Sequence, residues 1–312
     1  MADNNSLVGG QPLLRKLNYR VILVQVLVTL FLYINFLLIT TFFMKHFFYT
    51  TMRYIFFANT LLSDCLILIL TNTLLIMSYF PFTIQTWLCL IIYIVLSLYT
   101  FVTPVTLTAM TLERFVAICM PLRHAELCST RRALHCILII HSLSSIPCIV
   151  FLSVFFASAT HSFYTQDRIC SVEAFTIHRW QGHLRSAISQ FYFSIMFITI
   201  VISYIKIMKV AKAASGENKK STWKGLRTVI LHAFQLLLCL IQLWCPVIEA
   251  AILQIDFMLY IDVRYFNYIT FILVPRCLSP LIYGLRDDKF FLALKYYALC
   301  GLYKKKSYDF SS

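Results

Sequence analysis

Seven runs of apolar residues, each long enough to cross a lipid bilayer, divide this chain between residues 21 and 285. Crossing a hydrocarbon core roughly 30 Å thick takes about 20 helical residues at about 1.5 Å apiece. Lipid offers no partner to a free backbone N–H or C=O, so a spanning segment must close its own hydrogen bonds, as a helix does. The runs fall at about 21–44, 54–78, 87–118, 133–159, 186–208, 228–253 and 265–285. Asp64, the pair Glu113/Arg114, Lys206 and Arg276 carry charge into them. The pattern predicts an all-α membrane protein, a seven-transmembrane helix bundle.

Composition agrees with that reading and removes other classes. With 60% apolar and 13% charged residues, the chain lacks the balance of a soluble domain. The net charge of +14 comes from short basic tracts between apolar runs rather than from one basic face, which argues against nucleic acid as a partner. Neither GxGxxG nor GxxxxGK[ST] occurs, so no nucleotide site is supported. The eleven cysteines are scattered, with no CxxC pair and no neighbouring histidine set, and the expectation is no metal and no cofactor. The first twenty residues are polar, without the profile of a cleavable signal peptide, so the first apolar run itself starts insertion.

Orientation follows from the basic residues, because positively charged loops stay in the cytoplasm. With the N-terminus outside, seven Lys and Arg lie on the external side and nineteen of 27 on the cytoplasmic side. The flanks of the first span alone favour the opposite sense, and the sum over all loops outweighs them. This divides the chain into an extracellular tail (1–20), the seven-helix bundle (21–285) and a cytoplasmic tail (286–312). Asn4-Asn5-Ser6 is then a glycosylation acceptor at Asn4, facing the lumen. Residues 287–297 alternate polar and apolar positions with a helical period, as in a short amphipathic C-terminal helix lying on membrane lipids. Cys300 and Lys304-Lys305-Lys306 follow it, a pattern that fits either a palmitoylated anchor or a free thiol on a solvated tail.

Cys89 opens the third span, and Cys170 is the sole cysteine of the long segment between spans four and five. As the two cysteines on the oxidising side, they are expected to form a disulfide that pins this segment over the bundle. Arg114 lies 25 residues after Cys89, a rise of roughly 37 Å, and so emerges at the opposite face. An isolated Glu-Arg pair at a helix exit often only anchors the interface.

Here, however, Glu113-Arg114-Phe115-Val116-Ala117-Ile118-Cys119-Met120-Pro121-Leu122 resembles the D/E-R-Y/F motif and the following VAICxPL stretch of odorant receptors, a branch of the rhodopsin-like G-protein-coupled receptors. Ser203-Tyr204 is similar to their Ser-Tyr motif, and Lys224 to His232 resembles their KAxxTCxxH string before span six. Ser279-Pro280-Leu281-Ile282-Tyr283-Gly284-Leu285-Arg286 resembles their NPxIYxLR close. With Asn35 and Leu61-Leu62-Ser63-Asp64, the resemblance covers nearly the whole chain, and Pro275-Arg276-Cys277-Leu278-Ser279-Pro280 looks most like fish odorant receptors. There are departures: Ser279 stands for Asn, Val229 for Cys, and Leu240 for an aromatic toggle, while span four has no tryptophan.

The resemblance implies a plasma-membrane receptor, of the kind found in sensory cilia, that binds a small-molecule odorant within the bundle. It then activates a stimulatory, olfactory-type G protein and raises cyclic AMP, with no chemistry done on the ligand. Glu113, Arg114, Tyr204, His232, Ser279, Pro280 and Tyr283 are the expected coupling and activation residues. Leu96 occupies the point where aminergic receptors place an aspartate, so a simple amine held there is not expected. Helical spacing selects Tyr93, Leu96, Ser97, Thr100 and Phe101 of span three and Leu240, Leu243, Trp244 and Val247 of span six as ligand-facing candidates, although such stripes also describe ordinary core. The family alignment adds Arg185, suited to an anionic ligand or to snorkelling toward headgroups. Arg276, four residues before Pro280, is placed by the family fold opposite Asp64, the single acid of span two. Their ion pair would replace the sodium ion that many rhodopsin-like receptors hold there; the alternative is that Arg276 reaches water or caps carbonyls freed by Pro275 and Pro280.

An enzyme is not indicated, since His135 and His141 have no acidic partner in their own helix. A transporter or channel would show internal repeats and Gly/Pro-broken helices meeting at the midplane, whereas seven spans do not divide evenly, glycine is almost absent from them and no self-similarity is seen. A retinal-binding opsin is excluded by the lack of a lysine in span seven.

Overall fold

The computed structural model describes residues 19–282 except 45, 81, 161–162, 164–165, 172–174, 215–218 and 281, with backbone alone at 49, 125, 211, 214 and 219–229. The glycosylation acceptor at Asn4, Tyr283, Cys300 and the C-terminal amphipathic segment lie outside these residues. Six helices are long and apolar enough to span: Tyr19–Phe43, Met52–Tyr79, Thr86–Cys119, Thr130–Ser158, Arg179–Ala214 and Phe257–Ser279. A seventh span is made of Ile230–Ile241, the later part of the helix Lys219–Ile241, and Cys245–Leu253, bent by 40° at their junction.

Burial follows the logic of a bundle in lipid. Leu61, Ile67, Leu68, Val102, Leu107 and Leu236 are fully buried, and together they sit on the inward faces of spans two, three and six. Large apolar side chains such as Leu30, Phe36, Ile149 and Ile198 point outward. Such a surface would aggregate in water, and in hydrocarbon it is matched to its solvent. Span three is the most buried helix, with spans two, four and five packed around it.

Polar side chains cross-link the helices where lipid could not satisfy them. Gln25 and Asn72 exchange two amide hydrogen bonds, at 2.7 and 3.0 Å, between spans one and two. Asn59 of span two donates to Thr106 Oγ1 at 3.1 Å and lies 3.3 Å from His141 Nε2, joining spans two, three and four. This gives His141 a structural partner on another helix. Glu249, a further acid within span six, accepts from Asn267 Nδ2 at 2.9 Å across to span seven. Such bonds contribute on average about 0.6 kcal/mol each in a membrane.

Three features differ from uniform spanning helices. Span six is broken at 242–244 because Pro246 has no N–H for the carbonyl of Gln242 and its ring crowds that carbonyl. The chain tightens through i→i+3 bonds such as Trp244 N to Ile241 O, 2.8 Å, and Val247 N to Trp244 O, 3.0 Å. Span seven begins at Phe257 rather than 265, capped by Asp256, whose carboxylate accepts from Met258 N at 2.6 Å. Within it Tyr268–Leu273 widens into a π-helical turn just ahead of Pro275. Finally, the loops at one end of the bundle add a small antiparallel sheet to the helices, Thr83–Gln85 with Asp167–Ile169, in the register Thr83 opposite Ile169 and Gln85 opposite Asp167.

Candidate functional site

The outer end of the bundle is roofed by that sheet. Cys89 and Cys170 are disulfide-bonded, their Cα atoms 5.5 Å apart, and both are buried. Thr86 ties the same corner by donating its hydroxyl to Gln166 O at 2.8 Å. The chain beyond Cys170 then drops Phe175 onto the Tyr93 ring (centroids 4.7 Å apart) and the Phe155 ring (5.3 Å). The disulfide therefore aims an aromatic plug into the space between spans three, four and five.

Beneath this lid lies a narrow, partly open cleft of about 20 Å³, room for a water molecule, bordered by Tyr93, Phe151, Phe155, Phe175, Gln181 and Arg185, among others. Span five starts here because Gln181 caps it: its side-chain oxygen accepts from Ile177 N at 2.7 Å and His178 N at 3.1 Å, while its Nε2 donates to Ser158 Oγ at 2.9 Å. The guanidinium of Arg185 lies over the Phe151 ring, 6.0 Å from its centroid. The lining is aromatic and aliphatic with one guanidinium, one phenol, one amide and the hydroxyl of Thr176. Such a lining has the chemistry to meet a small, largely apolar molecule carrying a polar or anionic group.

Of the ten ligand-facing candidates, Tyr93 and Arg185 border this cavity; the other eight are not among its lining residues. Phe101 is buried against Tyr192, ring centroids 5.1 Å apart, and Leu240 and Leu243 are buried in the main core cluster. Leu96 and Ser97 are buried on span three, and Thr100 turns its hydroxyl back to Leu96 O at 2.7 Å. Trp244 is exposed and meets Phe193 edge-on at 5.8 Å, and Val247 is half-buried. Conversely, Phe151, Phe155 and Gln181 were not singled out by spacing, since a helical period marks a face without telling a closed core from an open cavity.

Midway through the bundle, a buried polar chain joins spans two, six and seven. Arg276 and Asp64 are both about 1% exposed, with Arg276 Nε 3.8 Å from Asp64 Oδ1. The other carboxylate oxygen, Oδ2, accepts from Ser279 Oγ at 3.0 Å, and Ser279 Oγ accepts from Gln235 Nε2 at 2.7 Å. Arg276 Nη1 also donates to Ile272 O, and Nη1 and Nη2 share Gln242 Oε1 at 3.4 and 3.3 Å. Ser279 thus bridges an acid and an amide, a role the sequence comparison with Asn left undefined. Gln235 and Gln242 are the members that sequence reasoning missed. Two glutamines seven residues apart within the apolar run of span six were the available signal.

At the end of the bundle opposite the disulfide, His232 is fully buried, its Nδ1 2.9 Å from Tyr204 Oη and 3.5 Å from Thr111 Oγ1. Arg114 is half-buried and near enough to Tyr204 and His232 for its charge to act on both. Spans three, five and six therefore converge on one polar knot. Pro280 is buried next to Ser279. Glu113 turns to the short loop helix Pro121–Leu127, its Oε1 3.4 Å from His124 Nε2. Cys128 ends that helix; burial raises the pKa of its thiol above the ordinary cysteine value, and the Glu113 carboxylate adds to the effect.

Residues 34–283 match the family model described as 7 transmembrane receptor (rhodopsin family). Along 308 residues the chain is 44% identical to a zebrafish (Danio rerio) protein named Odorant receptor 131-2, covering 98% of this chain and 94% of that one.

Proposed function

Since the chain belongs to the rhodopsin family of seven-transmembrane receptors, on its odorant-receptor branch, we propose that it binds a small odorant in the cavity beneath the Cys89–Cys170 lid. Occupancy there favours an opened cytoplasmic face that activates a stimulatory, olfactory-type G protein and raises cyclic AMP. The receptor sits in the plasma membrane with its N-terminus outside. The observation that carries this reading is the pairing of two sites along span three. Tyr93 borders an aromatic cavity at one end, and Arg114 lies with Tyr204 and His232 at the other. A ligand can shift such a two-state bundle only by its differential affinity for the two states.

Arg185 gives the ligand class. A guanidinium offers paired donors to a carboxylate or sulfate, and its seat over Phe151 holds it at the cavity wall. We test this with a panel of water-soluble odorants grouped by charge, on cells carrying the receptor and a cyclic AMP reporter. Anionic agonists lose potency in Arg185→Gln by about tenfold or more, matching the roughly 1.5–3 kcal/mol of a charge-assisted hydrogen bond. Unchanged potency for every anionic agonist would remove Arg185 from the ligand site.

A further inference from the structure

We propose that Glu113, His124 and Cys128 form a Zn²⁺ site joining the cytoplasmic end of span three to the loop helix that follows it. The ligand atoms of the three side chains all lie within 4.8 Å of one another. They supply a carboxylate oxygen, an imidazole nitrogen and a thiolate sulfur, a donor set that suits Zn²⁺ rather than Ca²⁺ or Mg²⁺, which prefer oxygen.

Local geometry explains why the three meet. His124 and Cys128 are four residues apart on Pro121–Leu127 and its C-cap, hence one turn apart on the same face. Met120, with φ −136° and ψ 56°, breaks the helix of span three and folds the loop helix back beneath it. That brings His124 Nε2 to 3.4 Å from Glu113 Oε1. Tetrahedral zinc with bonds of about 2.0 Å to N and O holds those two atoms about 3.3 Å apart, so one edge of the polyhedron is already in place. At a Zn–S bond of about 2.3 Å the sulfur belongs about 3.5 Å from each of the other two ligand atoms, so a shift of about 1.3 Å at most completes the face.

The surroundings admit a cation. Glu113 has a side chain only 9% exposed, so its carboxylate is largely withdrawn from water, whereas His124 is 39% exposed and leaves a path for the ion and a fourth ligand from solvent. Arg132, the nearby cation on span four, is engaged by Glu126 at 3.5 Å. On binding, the Cys128 S–H gives its proton to solvent and the thiolate bonds to zinc. The thiolate and the carboxylate together balance the charge of the dication. Bound zinc clamps the loop helix to the residue preceding Arg114.

Two measurements on the full-length receptor in lipid nanodiscs test the site. In the first, Co²⁺ is titrated as a spectroscopic stand-in for zinc. A thiolate-to-cobalt charge-transfer band, displaced by Zn²⁺, is expected in wild type and lost in Cys128→Ser. In the second, the rate at which Cys128 is alkylated by N-ethylmaleimide is followed by peptide mass spectrometry with and without Zn²⁺. At free zinc about a hundred times the measured Kd, alkylation slows about a hundredfold in wild type and is unaffected in His124→Ala. A Cys128 alkylation rate in wild type that zinc leaves unchanged overturns the site, and so does protection that persists without His124. The wild-type measurement decides even if a variant misfolds.

Discussion

Arg276 and Asp64 can be separated genetically, and the structure sets the size of the effect. Their closest approach is 3.8 Å, with both side chains about 1% exposed. At that distance and an effective dielectric near 20, the Coulomb attraction is about 4 kcal/mol, set against several kcal/mol of desolvation for each ion. The pair is therefore a weak source of net stability but a costly one to break. Among the described residues, Asp64→Asn leaves the guanidinium with only Ile272 O and Gln242 as partners, and Arg276→Gln leaves a carboxylate held only by Ser279. Each single change should cost about 3–5 kcal/mol, and the double variant should fall short of the sum by about 1–3 kcal/mol. Thermal unfolding in nanodiscs reads this at roughly 2 °C per kcal/mol for a chain of this size. Agonist responses of the wild type should show no specific weakening by sodium at constant ionic strength, since a guanidinium fills the place of a cation. Additive losses in the double variant, or a strong specific sodium effect, would refute the coupling.

Two further substitutions report on neighbouring parts. Replacing Cys89 and Cys170 together by Ser frees a loop with a sequence separation of 81, for which chain entropy allows about 4–5 kcal/mol; because the helices remain inserted, that is an upper bound, and reduced surface expression measured by antibody labelling is the expected result. Ser279→Ala removes the donor to Asp64 Oδ2 and the acceptor for Gln235; a loss of about 1–3 kcal/mol in thermal unfolding is expected, whereas Ser279→Asn, which can still donate and accept, should retain most of it.

How much was legible beforehand depended on whether the deciding physics was local. The spans were visible because hydrocarbon thickness and backbone hydrogen bonding act on each segment alone, and the break at Pro246 could have been anticipated on the same grounds. Cys89 and Cys170 could be paired by compartment. The meeting of Asp64 and Arg276 was approachable because a buried charge demands a partner, yet Gln235 and Gln242 carried no such demand and went unnoticed. The cavity was least legible. Phe101, Leu240 and Leu243 share inward faces with Tyr93 but pack in closed core, and only the path of the chain after Cys170, which brings Phe175 down, settles where space remains. The proposed grouping of His124 and Cys128 with Glu113 could not be read from a search for CxxC pairs and neighbouring histidines, because Glu113 approaches only when Met120 turns the chain.

The central claim is that ligand occupancy at the outer cavity is read at Arg114, and one comparison tests it most directly. Cells expressing wild type or Arg114→Ala at equal surface density are exposed to an agonist found in the odorant panel, and ligand binding and cyclic AMP are measured together. The account predicts that wild type binds and raises cyclic AMP, while Arg114→Ala still binds but gives no cyclic AMP response. Undiminished signalling by Arg114→Ala, or movement of the odorant across the membrane without any cyclic AMP response in wild type, would contradict it.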